Sequence, residues 1–362
     1  MEERHILFGL QEIDGIGWET VEAVAGAVPD LRTLLERPAT ELLAGTKVSR
    51  TKAEKIQRVL TNEFILSKLR FYENAGVEPI TYFDARYPPL LRHGIEKPPW
   101  VLYCRGDVTL LQRNCAAVVG TRHPTAYGRE VAEWFGAELA EAGVPVVSGL
   151  ARGIDGYAHA GALRTTGATI AVLGNGLNLC YPPEHEALQR AIGKRGLVLS
   201  EYSWNAKPSK LTFPWRNRLI AGIARGTVVV EAARRSGSLH TAKCATNASR
   251  DIFAVPGPIT SPNSEGCFGL LREGAIMATS PRDVLAEFGL AAPAEAQGGT
   301  DANVTPDEAE LLAALGGEAA SIDELIERTH RSFGHLHTVL LSLLVKNRIR
   351  ALPGSRYIAR MK

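Results

Sequence analysis

The sequence predicts an α/β protein whose centre is a doubly wound, Rossmann-like parallel sheet. Short β-branched and apolar runs alternate with segments of helical spacing between Ala116 and Ala275, which is the pattern of parallel strands joined by crossover helices. Near-continuous apolar runs such as Val228-Val229-Val230 suit strands that are covered on both faces. A helical segment precedes this region, and a helix-rich segment that ends in a short ribbon follows it.

Residues 1–80 predict a helical domain of the SAM or helix-hairpin-helix type. Apolar residues recur there at helical spacing, as in Ile56, Val59 and Leu60. Gly15-Ile16-Gly17 lies between two of the predicted helices. Such a turn either offers backbone N–H groups to a DNA phosphate or simply reverses the chain, and the sequence leaves both possibilities open.

Residues 81–290 are expected to form the sheet domain. Its first part, residues 82–103, predicts an extended arm, because two Pro-Pro pairs argue against regular helix there. Turns and helical spacing follow each apolar run of the sheet domain. The predicted strands are residues 116–120, 145–148, 169–173, 197–200, 227–230 and 252–255.

The C-terminal residues predict a linker and a winged helix. Residues 291–303 are rich in Ala, Glu and Gly and have no apolar periodicity, which is typical of a linker. Residues 304–362 predict three helices and a β-ribbon, a winged-helix pattern. Ser321 and Glu324 predict a capping box for the second helix. No Arg/Asn/Gln cluster for base edges lies on the third helix, so the tail is expected to contact either DNA without sequence readout or another protein.

Overall charge does not indicate a nucleic-acid partner, but local charge does. The 362 residues carry 41 Lys and Arg against 39 Asp and Glu, a net charge of +2. A basic patch must therefore be local if DNA is bound. Basic residues outnumber acidic ones between Leu211 and Ala275. The basic residues are Arg216, Arg218, Arg225, Arg234, Arg235, Lys243, Arg250 and Arg272, and the acidic ones are Glu231, Asp251, Glu265 and Glu273.

Cysteine usage and the N-terminus predict a cytoplasmic protein. The 5 cysteines are scattered without any C-x-x-C pair, which argues against a disulfide framework or a zinc ribbon and favours buried thiols in a reducing compartment. The N-terminus lacks the basic and apolar regions of a signal peptide, and no apolar stretch approaches about 20 residues. We therefore expect a soluble protein without a membrane or a metal.

Three predicted turns, two of which contain glycine, hold a basic residue where an anion would lie. They are Gly120-Thr121-Arg122, residues 148–155 and residues 213–218. A turn at the carboxyl end of a parallel strand presents free backbone N–H groups, and the helix that follows adds its positive dipole end. Several such turns in one sheet suit a polyanion better than a single small metabolite.

Motifs across residues 87–275 make a resemblance specific. They include Val118-Val119-Gly120-Thr121-Arg122, Ser148-Gly149-Leu150-Ala151-Arg152-Gly153-Ile154-Asp155, Tyr181-Pro182, Ser200-Glu201-Tyr202, Arg216-Asn217-Arg218, Ser236-Gly237-Ser238, Val255-Pro256-Gly257 and Gly274-Ala275. Together they resemble the DNA-processing protein A (DprA/Smf) family. The resemblance implies a protein that binds single-stranded DNA without sequence specificity and loads RecA recombinase onto it, in natural transformation and recombination. It implies neither a cofactor nor an enzymatic activity.

The residues of the turns can be given roles. Arg122 and Arg152 are expected to fork onto phosphates. Phe213 and Trp215 can each offer a ring face to an unstacked base, and the alternative of core packing is stronger for Trp215 than for Phe213. Asp155 is expected to cap the next helix. The expected phosphate-binding set is Gly120, Thr121, Arg122, Ser148, Gly149, Arg152, Gly153, Lys207, Lys210, Arg216, Asn217, Arg218 and Lys243.

A second hypothesis is a nucleotide-binding or nucleotide-hydrolysing Rossmann-like protein. The same turns suit a single phosphate. However, the sequence has no Walker A motif and no Pro-Gly-Gly-x-Gly-Thr signature of nucleoside monophosphate hydrolases. A transcription regulator that uses only the tail would leave the middle region unexplained.

A homodimer is expected, because two copies side by side gain effective concentration on one long strand. Val284, Leu285, Phe288 and Leu290 close the sheet domain just before the linker. We expect an isologous contact through this face, a location that the resemblance also suggests. The alternative that these side chains pack onto their own sheet stays open.

Overall fold

The structure is a computed structural model that describes residues 1–165, 167–290, 304–316, 318–346, 348–352 and 354–359. The chain divides into two compact units, Met1–Leu290 and Ala291–Lys362. The linker expected at 291–303 lies outside the described residues. Within the described ranges, none of the helices combines the length and apolar character that a bilayer crossing requires.

The first unit opens with a helical segment. Its helices are α1 (Glu3–Gln11), α2 (Trp18–Ala27), α3 (Ala39–Leu42), α4 (Arg50–Val59) and α5 (Asn62–Asn74). Ser49 and Thr61 accept backbone N–H groups at the starts of α4 and α5, as N-cap residues do. The turn after α1 contains Gly15 at φ +78°, and Lys55 Nζ donates to the Asp14 carbonyl oxygen beside it at 2.5 Å.

A nine-stranded sheet follows, with the order β1-β2-β6-β5-β4-β3-β7-β8-β9. The strands β3 to β9 pair in parallel, while β1 pairs antiparallel to β2 and β2 antiparallel to β6. The doubly wound class is confirmed, and both ends of every predicted strand agree to within one residue. The strands are β1 (Glu78–Thr81), β2 (Val101–Gly106), β3 (Ala116–Val119), β4 (Val146–Ser148), β5 (Thr169–Leu173), β6 (Leu197–Ser200), β7 (Gly226–Val229), β8 (Asp251–Ala254) and β9 (Ile276–Met277).

The connector before the parallel strands differs from the expected extended arm. Its second Pro-Pro segment leads into β2, and its first begins the helix α6 (Pro89–Gly94). Proline is favoured at the first turn of a helix, because the N–H that it lacks has no intrahelical partner there. The boundary expected between residues 80 and 81 falls inside β1.

The helical segment and the sheet share a core. The ring of Tyr72 in α5 stacks on the ring of Tyr103 in β2 with centroids 4.9 Å apart, and Phe8 of α1 packs edge-on against both. Glu12 accepts hydrogen bonds from both tyrosine hydroxyls, at 2.9 and 2.5 Å. This contact fixes the helical segment against the antiparallel edge of the sheet.

Crossover helices cover both faces of the sheet. α7 packs against α8, α8 against α9, and α10 against α6 and α11. The apolar strands between these layers contribute to the main core, which includes Val119, Val172 and Val229. The remaining helices of the unit are α7 (Ala126–Glu141), α8 (Ile154–Leu163), α9 (Glu186–Arg195), α10 (Thr212–Ile223), α11 (Ser238–Asn247), α12 (Glu265–Arg272) and α13 (Pro281–Glu287).

The expected dimer face at the end of the unit is not a surface. Val284 and Leu285 of α13 and the adjacent Phe288 are buried, and only Leu290 is half-buried. The Phe288 ring packs edge-on against Phe253 of β8, and the Arg225 guanidinium lies 4.9 Å from the Phe288 ring centroid. These side chains therefore serve the core of their own protomer, which corrects the expectation.

The second unit has the winged-helix pattern that the sequence predicts. Its helices are α14 (Pro306–Leu315), α15 (Ile322–Thr329) and α16 (Phe333–Val345), and its strands are β10 (Ala320–Ser321), β11 (Ile349–Leu352) and β12 (Arg356–Ala359). The strands form an antiparallel sheet in the order β10-β12-β11. The capping box of Ser321 and Glu324 is confirmed.

Candidate nucleic-acid interface

The turns after β3, β4 and β7 meet the start of α10 at the carboxyl edge of the parallel strands. They line one cleft of about 740 Å³. Ligands of open α/β sheets bind at this edge, because successive turns there diverge to opposite faces. The cations and aromatic rings in the walls of the cleft and of the small hollow beside it are Arg122, Arg152, Lys210, Arg216, Arg235, Tyr181 and Phe213.

Two of the predicted phosphate-binding glycines let the turns pack on each other. A Cβ atom at Gly120 would lie 2.5 Å from Ile154 Cγ1 and 2.9 Å from the Glu231 carbonyl oxygen. Gly153 has φ +80°, and a side chain there would collide with the backbone of Thr121 and Arg122. The glycines thus bring the β3 and β4 turns together, so that Arg122 stands beside the second turn.

The second turn is closed by Asp155. Its carboxylate accepts the N–H groups of Gly149 at 3.0 Å and Ala151 at 3.4 Å. Helix α8 already begins at Ile154, so Asp155 caps the preceding loop and not the helix. Burial raises the pKa of the Asp155 carboxyl, against the nearby charge of Arg216. The Gly149 N–H, expected to bind phosphate, is thereby engaged inside the protein.

Ser148 also turns inward. Its side chain is completely buried, and its Oγ donates to the Val118 carbonyl oxygen at 2.7 Å. The hydroxyl links β4 to β3 and does not reach the cleft surface. Thr121, in contrast, is half-buried, and its Oγ1 accepts the His123 N–H at 3.2 Å to shape the first turn.

Arg216 was expected to bind phosphate at the surface, but it lies buried beneath the cleft. Its side chain is 5% exposed, and its Nη1 donates to the carbonyl oxygens of Gly149, at 2.7 Å, and Val172. Its Nε donates to Asn217 Oδ1 at 3.3 Å. Burial lowers the pKa of Arg216 to about 10, so the group stays charged at neutral pH. A buried cation under the floor makes the cleft attractive to anions.

Arg218 was also expected to bind phosphate, but its guanidinium is bound to other groups of the protein. It forms a buried ion pair with Glu201 and donates to the Lys97 carbonyl oxygen at 2.6 Å. Burial raises the pKa of Glu201, with the charge of Arg218 opposing that shift. This pair fastens α10 to the connector.

Exposed cations remain around the cleft. Arg122 and Lys210 are exposed on its walls, and no carboxylate of the described residues forms an ion pair with either. Arg152 is half exposed and pairs with Glu184. Arg235, which belongs to the local basic patch but was not among the expected phosphate-binding residues, is exposed and also lines the cleft. Its position just before Ser236-Gly237-Ser238, another turn that opens a helix, is the signal that could have identified it.

Lys207 and Lys243, which were also expected to bind phosphate, lie outside the lining of the cleft. Lys207 is exposed on the loop that precedes α10, outside the lining of the cleft. Lys243 lies on α11 and lines a different hollow of about 1080 Å³, between α11 and α12. The structure therefore does not bring Lys243 together with the other predicted residues.

An aromatic pair stands beside these cations. The ring of Phe213 lies against that of Tyr181, with centroids 5.0 Å apart and planes tilted by 35°. Tyr181 is 37% exposed, and both rings line the cleft. Tyr181 was missed as a stacking residue although Tyr181-Pro182 is one of the motifs. Trp215, for which core packing was the stronger of the two expectations, is 45% exposed.

The candidate acid–base groups have structural partners. His159 is completely buried with Nδ1 2.7 Å from Thr169 Oγ1. Thr169 Oγ1 donates to the Val146 carbonyl oxygen at 2.6 Å, so His159 Nδ1 is the donor to Thr169. Burial lowers the pKa of His159 to about 3. Among the residues that the structure describes, no group of His, Cys, Asp and Glu could hold a metal.

The chain is similar to several known proteins. The family model for DNA recombination-mediator protein A matches residues 78–289, and the model for the DprA winged helix domain matches residues 291–355. Protein Smf of Escherichia coli (strain K12) is 41% identical over 278 residues, 74% of each chain. DNA processing protein DprA of Bacillus subtilis (strain 168) is 40% identical over 221 residues, 61% of this chain and 74% of that protein.

Solved structures are similar as well. The X-ray structure of DNA processing protein A (DprA) from Streptococcus pneumoniae has a TM-score of 0.69 and 34% identity, covering 79% of this chain and 99% of that chain. A second similar structure concerns the single-stranded DNA binding mode of DNA processing protein A from Helicobacter pylori. Its TM-score is 0.53 and its identity 30%, over 59% of this chain and 95% of that chain.

Proposed function

Because this chain belongs to the DNA recombination-mediator protein A family, we propose that it binds single-stranded DNA in the cleft and delivers the strand to RecA recombinase. The observation that carries the proposal is the meeting of Arg122, Lys210 and Arg235 with the Tyr181–Phe213 pair in one cleft. Cations for phosphates and rings for bases are the two elements of single-strand binding sites.

The proposed binding does not depend on base sequence. Every base has a π face, so the ring of Phe213 or Tyr181 accepts any of them. The cations Arg122, Lys210 and Arg235 pair with phosphates, which are the same at every nucleotide. The related protein from Helicobacter pylori, described by its single-stranded DNA binding mode, supports this choice of ligand.

We propose binding without catalysis. A general base would need a group in reach of substrate with a pKa near the working pH. His159 is buried with a pKa of about 3, and the Asp155 carboxylate holds two backbone N–H groups. Both groups thus bind other groups of the protein and stabilise its fold.

Transfer to RecA, action in natural transformation and a cytoplasmic location complete the proposal. Transfer to RecA and natural transformation are what the resemblance to the DprA/Smf family implies. The family model for a DNA recombination-mediator protein supports a role in recombination, and the free cysteines suit a reducing compartment. We also propose a homodimer, for the gain in effective concentration on a long strand. Its interface lies outside the buried residues Val284, Leu285 and Phe288. Light scattering at micromolar concentration tests the dimer.

The central experiment is a gel-shift series with single- and double-stranded oligonucleotides across salt, run on the full chain. We expect preferential single-strand binding, with affinity falling linearly in logarithmic salt because counterions are released. Parallel incubation with 5′-nucleotides, read by chromatography, tests the hydrolase alternative. Nucleotide turnover together with the absence of any oligonucleotide shift would overturn the proposed function.

A further inference from the structure

An exposed tryptophan on α10 is held in place by a buried ion pair. Trp215 is 45% exposed, yet the Arg218 guanidinium lies 4.5 Å from its ring centroid and covers one face. Arg218 is itself fixed by Glu201 and by the Lys97 carbonyl oxygen. The ring is therefore anchored while much of its surface faces solvent.

Core packing does not explain this ring, because a core side chain would be buried and Trp215 is 45% exposed. A rigid, solvent-facing ring is what a stacking site needs, because little side-chain entropy is lost when a flat ligand settles on it.

The charge of the segment around Trp215 indicates which class of ligand would bind the ring. No Asp or Glu occurs in residues 202–230, which contain Lys207, Lys210 and Trp215. Both lysines are exposed on the loop that leads into α10. Glu201, which precedes this segment, is already paired with Arg218. A flat ring on a segment that carries two exposed lysines suits a nucleotide, whose base stacks while its phosphate pairs with a lysine.

Helix geometry separates this ring from the cleft. Phe213 and Trp215 are two residues apart, so they project about 200° apart around α10. Phe213 faces the cleft, and Trp215 faces the side where Arg218 contacts the connector. Lys210 lines the cleft and stands just before the first turn of the helix. A strand that leaves the cleft past Lys210 crosses the positive end of the helix dipole and reaches Trp215.

We propose that Trp215 is a second base-stacking platform, outside the cleft, for a nucleotide of the same single strand that the cleft holds. The inference rests on the proposed function, since it needs a strand in the cleft. It makes the site longer than the cleft, with Phe213 and Trp215 on either side of the α10 N-terminus and Lys210 and Lys207 beside the path between them.

The test compares short and long oligothymidylates in fluorescence anisotropy. A strand of about 4 nucleotides fills the cleft only, and one of about 20 covers both rings. We expect Trp215→Ala to weaken binding of the long strand about tenfold, as loss of one stacked base does, and to leave the short strand unchanged. Trp215→Phe keeps a ring and retains most of the affinity. Phe213→Ala weakens both strands, and Phe83→Ala, at a half-exposed aromatic of the connector, changes neither.

Photo-crosslinking keeps the test independent of folding effects. Wild-type protein with a long strand that carries 5-iodouracil should give a crosslink to Trp215, and the short strand should not. Equal long-strand binding by wild type and Trp215→Ala, or crosslinks confined to the cleft, would overturn the platform. Failure of the wild type to bind any oligonucleotide would instead refute the proposed function.

Discussion

Arg216 donates from Nη1 to the carbonyl oxygen of Gly149 at 2.7 Å, and the guanidinium occupies the space that a side chain at position 149 would need. A Cβ atom on Gly149 would lie 2.6 Å from Arg216 Cζ. The Gly149 N–H is bound by Asp155 on the other side. The glycine of the second turn is therefore required by a buried cation of its own chain.

We expect Gly149→Ala to lower the free energy of unfolding by about 1–3 kcal/mol, because an added methyl group must displace a well-packed guanidinium. Gly26→Ala is the matched control. A Cβ atom at Gly26 meets nothing within 4 Å, so alanine there is neutral or stabilises by about 0.5–1 kcal/mol. Denaturant unfolding of both variants checks this, and equal stabilities would contradict the packing account.

Single-strand binding should depend on Arg122 more than on Arg152. Arg122 has no carboxylate partner among the described residues, whereas Arg152 pairs with Glu184. We expect Arg122→Ala to flatten the slope of log affinity against log salt by about 0.7, the share of one phosphate contact. Arg152→Ala should have a smaller effect, since its phosphate contact competes with Glu184.

Glu184→Gln provides the opposite change. It frees Arg152 for phosphate, so we expect tighter binding and a steeper salt slope. Anisotropy titrations at several salt concentrations measure all three variants. If Arg122→Ala binds like the wild type and melts at the same temperature, the phosphate-binding role of this turn is wrong.

Lys210 and Lys243 form a pair of lysines that tests the limits of the cleft. Both are exposed, but only Lys210 lines the cleft, while Lys243 faces the hollow between α11 and α12. We expect Lys210→Ala to reduce the salt slope by about 0.7 and Lys243→Ala to leave it unchanged. Equal losses in the two variants would show that the strand also runs over α11.

His159 should make the first unit less stable in acid. Burial lowers its pKa from 6.5 to about 3, so between these values the unfolded chain binds a proton that the native chain does not. The free energy of unfolding then falls as pH falls below 6.5, by about 1.4 kcal/mol per pH unit for one proton, and His159 adds no pH dependence above 6.5.

His159→Asn keeps an N–H for Thr169 and removes the titrating ring. We expect the stability advantage of the wild type over this variant to shrink by about 2 kcal/mol between pH 7 and pH 5. Urea unfolding at both values, monitored on the first unit, measures the difference. A difference that does not change with pH would assign the acid sensitivity to other groups.

The sequence was sufficient for six of the seven parallel strands, all but β9, and for the winged helix. Apolar runs such as Val228-Val229-Val230 must be covered on both faces, and the capping box of Ser321 and Glu324 marks a helix start without reference to the rest of the chain. Both signals are local, since they depend on hydrophobic period and on backbone groups a few residues apart. The turns after β3 and β4 were also identified, because the carboxyl ends of parallel strands meet at one edge. The third predicted turn, residues 213–218, lies in helix α10 instead.

Only the tertiary structure decided which of the polar residues face the cleft. Ser148, Arg216 and Arg218 stand in the same motifs as Arg122, yet their partners Val118, Gly149 and Glu201 come from other segments of the chain. Whether a cation is buried or exposed depends on contacts between residues far apart in sequence, which no local pattern contains. For the same reason the sequence predicted that Val284 and Phe288 form an exposed dimer face, whereas both lie in the core of the fold.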